Sequence, residues 1–131
     1  MKGFREFIGE SKIKPILIDR LEIWPRDLGK MTWDEAKVEV AKLGPGWRLP
    51  TVDEFKEILY PNESKIPKLR SNKFQTSAYW SSTEYENFSG WYFSFFNGYA
   101  NSNYYKPNTF YVRAVRDFTG ETAITYLLKD F

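Results

Sequence analysis

The chain has 131 residues, of which 19% are aromatic and 27% charged, and this length and composition fit one folded domain. Its 19 Lys and Arg and 17 Asp and Glu leave a net charge of +2, too small to indicate nucleic acid or an anionic membrane as a partner. Cysteine and histidine are absent, which excludes disulfides, thiolate nucleophiles, histidine-based triads and the usual zinc sites. We therefore expect no cofactor.

The amino-terminal segment, residues 1–19, carries charged residues throughout and has no apolar run long enough for a signal peptide. No stretch approaches the roughly 20 apolar residues that a membrane-spanning helix needs. These features predict neither export nor a membrane span.

The first predicted elements are a strand or hairpin arm in residues 15–24, which are rich in branched aliphatics, and a turn in residues 26–30. A helix follows, because Thr32 and Glu35 have the spacing of a capping box and Gly44 is a typical carboxyl-terminal residue. Its apolar stripe comprises Trp33, Ala36, Val40 and Leu43.

A second helix has the same punctuation, with a capping box at Thr51 and Glu54 and a stop at Pro61. Its apolar side comprises Val52, Phe55, Ile58 and Leu59. We expect the connector between the two helices to direct Trp47 and Leu49 into the core.

The sequence of the second half of the chain indicates mainly β-strands. Residues 61–78 are polar and contain Pro67, which indicates a loop. Aromatic strands are predicted in residues 78–85 and 91–98, and a last strand in residues 110–118. Helices followed by a group of strands indicate an α+β fold.

Candidate chemistry is sparse. The acid pairs that follow Thr32 and Thr51 lie in first helical turns, where the helix dipole favours negative charge. Ser81 and Ser82 have no histidine base, and no Ser-x-x-Lys spacing surrounds them. Oxygen ligands for calcium are available at Glu84, Glu86, Asn87 and Asn97, but their spacing matches no dedicated calcium loop. We therefore predict that the protein is not an enzyme.

Two arginines lie in the last predicted strand, and we expect at least one of them to have a structural role in the interior. Arg113 and Arg116 are three residues apart, so a single strand would direct them to opposite faces. The one that points inward requires a carboxylate, for which Glu54 and Glu84 are candidates, or several carbonyl groups.

The segment between these strands, residues 97–110, is rich in Tyr and Asn. One interpretation is a long hairpin connection, in which Asn and Gly form turns. The other is a recognition loop, because Tyr gives large contact area with few rotors and Asn gives adaptable hydrogen bonds.

Five motifs occur in order along the chain: MTWDEA, GWRLPTVDEF, YWSSTEY, WYFSFFNG and YVRAVRD. Together they resemble the C-type-lectin-like domains of the collagen-like-adhesin C-terminal family and of the variable proteins of diversity-generating retroelements. The resemblance implies a single domain over residues 1–131, with a core at about 15–118 and an extension at 119–131. It also implies two helices packed on a small, irregular antiparallel sheet with long loops.

In such variable proteins the diversified codons encode solvent-facing ligand contacts, and asparagine codons are a frequent template. Carried over to this sequence, the ligand-binding positions are Tyr92, Tyr99, Asn101, Asn103, Tyr104, Tyr105, Asn108 and Phe110. The framework positions are Trp47, Arg48, Glu54, Trp80 and Arg113.

The resemblance implies a non-enzymatic variable protein that displays this Tyr- and Asn-rich surface to an unknown protein or cell-surface ligand. Without an export signal, its location would be the cytoplasm or a phage particle. Two alternatives remain open. One is a calcium- or glycan-binding lectin-like adhesin domain, and the other is a structural or assembly domain that forms a homo-oligomer through the same surface.

Overall fold

The computed structural model describes residues 14–66, 72–86, 89–103 and 108–119. They form eight strands and two α-helical segments. The strands are β1 (Ile16–Ile18), β2 (Leu21–Ile23), β3 (Gly29–Met31), β4 (Ala78–Glu86), β5 (Ser89–Ser94), β6 (Ala100–Asn103), β7 (Phe110–Val112) and β8 (Val115–Asp117). The helices are α1 (Trp33–Ala41) and α2 (Val52–Glu54), with a π-helical turn at Phe55–Leu59 and a 3₁₀ turn at Glu63–Lys65.

The strands form two sheets, one in the order β1-β2-β8 and the other in the order β3-β7-β4-β5-β6. Neighbouring strands are antiparallel except for β4 and β7, which run parallel through the pair Tyr79 and Tyr111. The predicted α+β fold with small antiparallel sheets is confirmed.

The predicted amino-terminal hairpin is present. Strands β1 and β2 pair with Ile16 opposite Ile23 and Ile18 opposite Leu21. The turn between them places Asp19 at φ +55°, a left-handed conformation that Asp tolerates because its short side chain can bond locally.

Helix α1 begins as the sequence predicts. The backbone N–H of Glu35 donates to the Thr32 hydroxyl, and the Glu35 carboxylate accepts from the Thr32 N–H, which completes the capping box. The helix buries Trp33, Ala36 and Val40. Its apolar face therefore packs inward at the spacing that the sequence shows.

The second predicted helix has an altered pitch. The capping box of Thr51 and Glu54 is present, but after Glu54 the turn widens, and the Tyr60 N–H donates to the Phe55 carbonyl at 2.9 Å. This wider turn still buries the predicted residues Phe55, Ile58 and Leu59.

Three strand predictions need correction. The strand expected at residues 91–98 ends at Ser94 in β5, and residues 95–98 form a turn. The single strand expected at residues 110–118 is two strands in different sheets, because the chain leaves β7 at Arg113 and enters β8 at Val115. The expected turn at residues 26–30 includes the first residues of β3, which pairs with β7. The errors at residues 26–30 and 110–118 arise because strands β3, β7 and β8 have three residues each, too few for a period-two pattern to develop.

The five-stranded sheet separates two apolar cores. One contains Phe55, Tyr79 and Phe93 and lies against α2 and the three-stranded sheet. The other contains Trp33, Trp80 and Val112 and lies against α1. In the described ranges no helix has the length and apolar character that spanning a membrane requires.

Candidate functional site

The five-stranded sheet carries an aromatic and amide surface where β5 and β6 meet. Asn101 lies opposite Tyr92, and Tyr92 lies opposite Trp80, so the three side chains share one face of the sheet. The Phe110 ring lies 4.6 Å from the Trp80 ring and 4.8 Å from the Tyr92 ring, measured between centroids. Tyr92 and Phe110 are half-buried, Asn101 is exposed, and Trp80 is fully buried beneath them.

Next to this face, the turn between β5 and β6 presents two aromatic side chains to solvent. Phe96 is 76% exposed and Tyr99 is 71% exposed. The backbone around them is held by hydrogen bonds: Gly98 N–H to the Ser94 carbonyl at 2.8 Å, Ser94 N–H to the Tyr99 carbonyl at 2.9 Å, and Tyr99 N–H to the Asn97 side chain at 3.1 Å. The turn therefore displays both rings from a fixed backbone.

The sequence of the turn is constrained at Gly98. Its φ of +75° lies in the left-handed region, and a Cβ atom there would come within 2.9 Å of the Tyr60 ring. Glycine is required both by the conformation and by the close packing of Tyr60. Tyr60 in turn packs edge-on against Phe93, which anchors the turn to the core.

The predicted ligand-binding positions differ in their exposure to solvent. Tyr99, Asn101 and Asn108 are exposed, while Tyr92 and Phe110 are half-buried. Asn103 belongs to β6 opposite Gly90, and Tyr104 and Tyr105 lie outside the described residues. Their assignment to a site therefore remains a prediction.

Sequence reasoning missed Phe96, which is more exposed than the predicted position Tyr99. The available signal was its position directly before Asn97-Gly98, a pair that is typical of hairpin turns.

The framework positions lie in the interior or at its rim. Trp47, Trp80, Glu54 and Arg113 are buried, and Arg48 is half-buried. The Trp80 indole donates to the Met31 carbonyl at 2.8 Å, which fixes the ring that supports the aromatic surface.

Arg113 is fully buried and contacts residues from several segments of the chain. Its Nε donates to Asp27 at 2.9 Å, and its guanidinium also donates to the carbonyls of Trp24, Asn72 and Lys73. The expectation of Glu54 or Glu84 as its carboxylate partner is wrong, because Asp27 occupies that role and Glu54 binds Arg48. The expectation of several carbonyls is confirmed.

Asp27 also accepts a hydrogen bond from the Tyr79 hydroxyl at 2.7 Å, and that hydroxyl accepts one from the Gln75 N–H at 2.7 Å. Burial raises the pKa of Asp27, and the positive charge of Arg113 offsets only part of this effect. Burial and the charge of Asp27 together raise the pKa of Tyr79 well above its ordinary value.

The second helix is tied to β8 by an arginine bridge. Arg48 donates to both carboxylate oxygens of Glu54, at 2.7 and 2.8 Å, and to Asp117 at 2.9 Å. Burial alone would raise the pKa of Glu54, but the hydrogen bonds from Arg48 and Thr51 outweigh it, so the pKa lies below its ordinary value. The hydrogen bond to Glu54 correspondingly raises the pKa of Arg48.

Ser81, which the sequence offers as a nucleophile by residue type, is engaged within the sheet. The Ser81 hydroxyl donates to the Trp91 carbonyl at 2.7 Å and accepts from the Thr83 N–H at 3.2 Å, which gives it a structural role in β4. Within the described ranges, no three His, Cys, Asp or Glu side chains come together as metal ligands.

The fold, with short helices on two small sheets, is of the C-type-lectin-like kind that the motifs imply. The sequence profile of the Lcl C-terminal domain family matches residues 19–116, and the chain belongs to this family. The family is related to the C-type-lectin-like domains of retroelement variable and phage-tail proteins, and it indicates a lectin-like or adhesin-like domain. A search of curated proteins finds no match.

Proposed function

We propose that this chain is a non-enzymatic ligand-binding domain whose recognition face consists of the β5–β6 hairpin and Phe110. The observation that carries the proposal is the exposure of Phe96 and Tyr99 on a turn whose backbone is fixed by hydrogen bonds. Clustered exposed aromatic residues on a rigid scaffold are typical of interaction sites, because leaving them in water contributes nothing to folding.

The neighbouring sheet face supports the same function. The Phe110 ring packs against both the Tyr92 ring and the Trp80 ring. Tyr92 and Phe110 nevertheless stay partly exposed to solvent. Rings that are already held by packing lose little side-chain entropy when a ligand binds. Asn101 adds a polar group beside them, at the position opposite Tyr92.

The titratable groups support a non-catalytic role. Among the described residues, the acids with shifted pKa values are Asp27, Glu35 and Glu54, which bind Arg113, Thr32 and Arg48 respectively. Each acid therefore serves a helix cap or an ion pair. Catalytic acids and bases, in contrast, lie in clefts where a substrate can reach them.

Within this function, the role of a retroelement variable protein accounts for the distribution of exposed and buried residues. The exposed positions Tyr99, Asn101 and Asn108 fall in one segment, and the residues that bracket it, Trp80 and Arg113, are buried. Such a segment can change without loss of the core. A copy of the coding region for residues 98–116 that differs only at adenines, near a reverse transcriptase gene, would support this role, and a genome without it contradicts it.

Binding itself is tested with fluorescently labelled protein on a panel of intact bacterial cells. We expect Tyr99→Ala and Phe96→Ala to lower cell binding, whereas Leu17→Ala, which removes an exposed side chain from the other sheet, leaves it unchanged. Equal binding by all the variants would contradict the proposed face. Loss of binding in a chelator would instead favour the calcium-dependent lectin alternative.

A further inference from the structure

The turn between β5 and β6 contains the one asparagine of the chain that precedes a glycine, Asn97 before Gly98. The backbone nitrogen of the following residue can attack the side-chain carbonyl carbon of an asparagine and close a cyclic imide. A side chain on that residue hinders the attack, and glycine has none. Asn97 is also exposed to water. It is therefore the position where spontaneous deamidation is expected first.

The folded turn engages both reacting groups in hydrogen bonds. The Gly98 N–H donates to the Ser94 carbonyl at 2.8 Å. This nitrogen must lose its proton before it attacks, because the lone pair of a neutral amide is delocalised into the carbonyl group. The Asn97 side-chain oxygen accepts from the Tyr99 N–H at 3.1 Å, so the carbonyl under attack is held by another donor.

The packing of Gly98 also opposes the backbone rotation that ring closure needs. Gly98 has a φ of +75°, and a Cβ atom there would come within 2.9 Å of the Tyr60 ring. Tyr60 packs in turn against Phe93 and Phe95. Rotation of the Asn97–Gly98 peptide would have to displace a ring that the core holds in place.

We propose that Asn97 is a site of spontaneous deamidation and that opening of the turn sets its rate. In the opened turn, hydroxide removes the Gly98 amide proton, and the nitrogen forms a bond to the Asn97 Cγ atom. The side-chain NH2 group takes a proton from water and leaves as ammonia. Water then opens the imide: cleavage between Cγ and nitrogen gives aspartate, and cleavage between the main-chain carbonyl carbon and nitrogen gives isoaspartate. The net change is gain of water and loss of ammonia.

The product changes the recognition face, a consequence that rests on the function proposed above. Residues 87–105 contain no Asp, Glu, Lys or Arg, so the new carboxylate is the only charge of the hairpin. It lies in the turn that carries the exposed rings of Phe96 and Tyr99, and a ligand that covers these rings has to desolvate it. Isoaspartate also adds a carbon to the main chain and disrupts the turn.

Deamidation is followed by peptide mass spectrometry on the folded chain and on the same chain unfolded in guanidinium chloride, at one mildly alkaline pH. In the unfolded chain we expect Asn97 to convert faster than the other asparagines. In the folded chain its conversion should be slower by about tenfold or more, since the turn is open for a small fraction of the time. Equal rates in the two states would overturn control by the turn. Faster conversion of another asparagine in the unfolded chain would overturn the site.

Two variants loosen the turn and leave the Asn-Gly pair intact. Tyr60→Ala removes the ring against Gly98, and Ser94→Ala removes the hydroxyl that accepts from the Phe96 N–H at 3.2 Å. Both should raise the rate in the folded chain and leave the rate in denaturant unchanged. Val38→Ala, at an exposed position on α1, is the control and should change neither rate. Thermal melts show which variants are folded, and folded variants that keep the original rate would contradict the proposal.

The effect on binding has a separate measurement. Asn97→Asp reproduces the aspartate product, and Asn97→Ser keeps a hydroxyl acceptor but has no amide to lose. We expect Asn97→Asp to bind intact cells more weakly than Asn97→Ser does. Equal binding by the two, with Tyr99→Ala still weakened, would overturn this consequence and keep the face. The deamidation rates need no ligand, so a lack of cell binding by every form of the protein would contradict the proposed function alone.

Discussion

The interior around Arg113 and the hairpin between β5 and β6 differ in what their polar groups bind. Arg113 binds Asp27 and carbonyls that lie far away in the sequence. The hairpin residues Asn97 and Asn101 bind backbone atoms within two positions of themselves. Substitution of a residue that binds several segments distant in sequence removes several contacts that hold those segments together. Substitution of a residue that binds only its sequence neighbours does not. The difference locates the part of this domain in which substitutions disturb the fewest contacts.

The largest expected effect follows from removal of the buried guanidinium. In Arg113→Ala, the Asp27 carboxylate loses its cationic partner and keeps only the Tyr79 hydroxyl, and three carbonyl groups lose the donor that the guanidinium supplies. We expect the free energy of unfolding to fall by about 3–5 kcal/mol, the usual result of leaving a buried charge unpaired. Urea denaturation measures it. Arg20→Ala, at an exposed arginine, is the control and should change stability by less than about 0.5 kcal/mol.

A smaller effect is expected at the Arg48 bridge, and it depends on pH. Glu54→Gln should cost about 1–2 kcal/mol at neutral pH, because the paired contact with Arg48 loses its charge. The pKa of Glu54 is lowered in the folded protein, so its contribution is complete above the ordinary value of 4.5 and is lost as the pH falls through the folded value.

The difference in stability between the original protein and Glu54→Gln should therefore narrow as the pH is lowered from 6 towards about 3. Chemical denaturation at a series of pH values measures this difference. A gap that stays constant or widens on acidification would contradict the assigned role of Glu54.

Tyr79→Phe, in the interior, should lower the free energy of unfolding by as much as Glu54→Gln or by less. The variant keeps the ring but removes the hydroxyl that donates to Asp27 and accepts from Gln75. We expect a loss of about 1 kcal/mol in thermal or chemical denaturation. An unchanged stability would mean that the two partners find other hydrogen bonds.

The smallest stability changes are expected on the hairpin. Phe96→Ala and Tyr99→Ala remove side chains that are more than two-thirds exposed, so unfolding free energies should stay within about 0.5 kcal/mol of the original. A loss as large as that of Tyr79→Phe would show that these rings support the fold, and the contrast between the two regions would disappear.

Local features of the fold could be predicted from the sequence. The capping boxes at Thr32 and Thr51 each depend on a residue three positions away, and both are present. The partner of Arg113 could not be found in this way, because Asp27 is 86 positions away. The separation of β7 from β8 is likewise a consequence of pairing with distant strands.

The candidate site was only partly accessible to sequence reasoning. Composition indicates the segment that contains Tyr99 and Asn101, since both residue types are common in binding loops. The contact between Tyr92 and Phe110 depends on the order of strands in the sheet, which no local pattern specifies. Phe96 was missed because a strand pattern assigns it to a sheet face, whereas it lies in the turn.

The bond from the Ser102 N–H to the Asn101 side chain has a consequence for aggregation. Strand β6 is the outer strand of its sheet. The Ser94 N–H donates to the Tyr99 carbonyl, so by the alternation of an antiparallel ladder Tyr92 and Asn101 form a hydrogen-bonded pair and the Ser102 N–H points away from β5. Such outward groups can pair with a strand of another molecule. The Asn101 side chain accepts a hydrogen bond from this donor and so blocks the edge, a role that Lys or Pro has in other proteins. Substitutions at Asn101 that remove the bond are therefore expected to promote self-association.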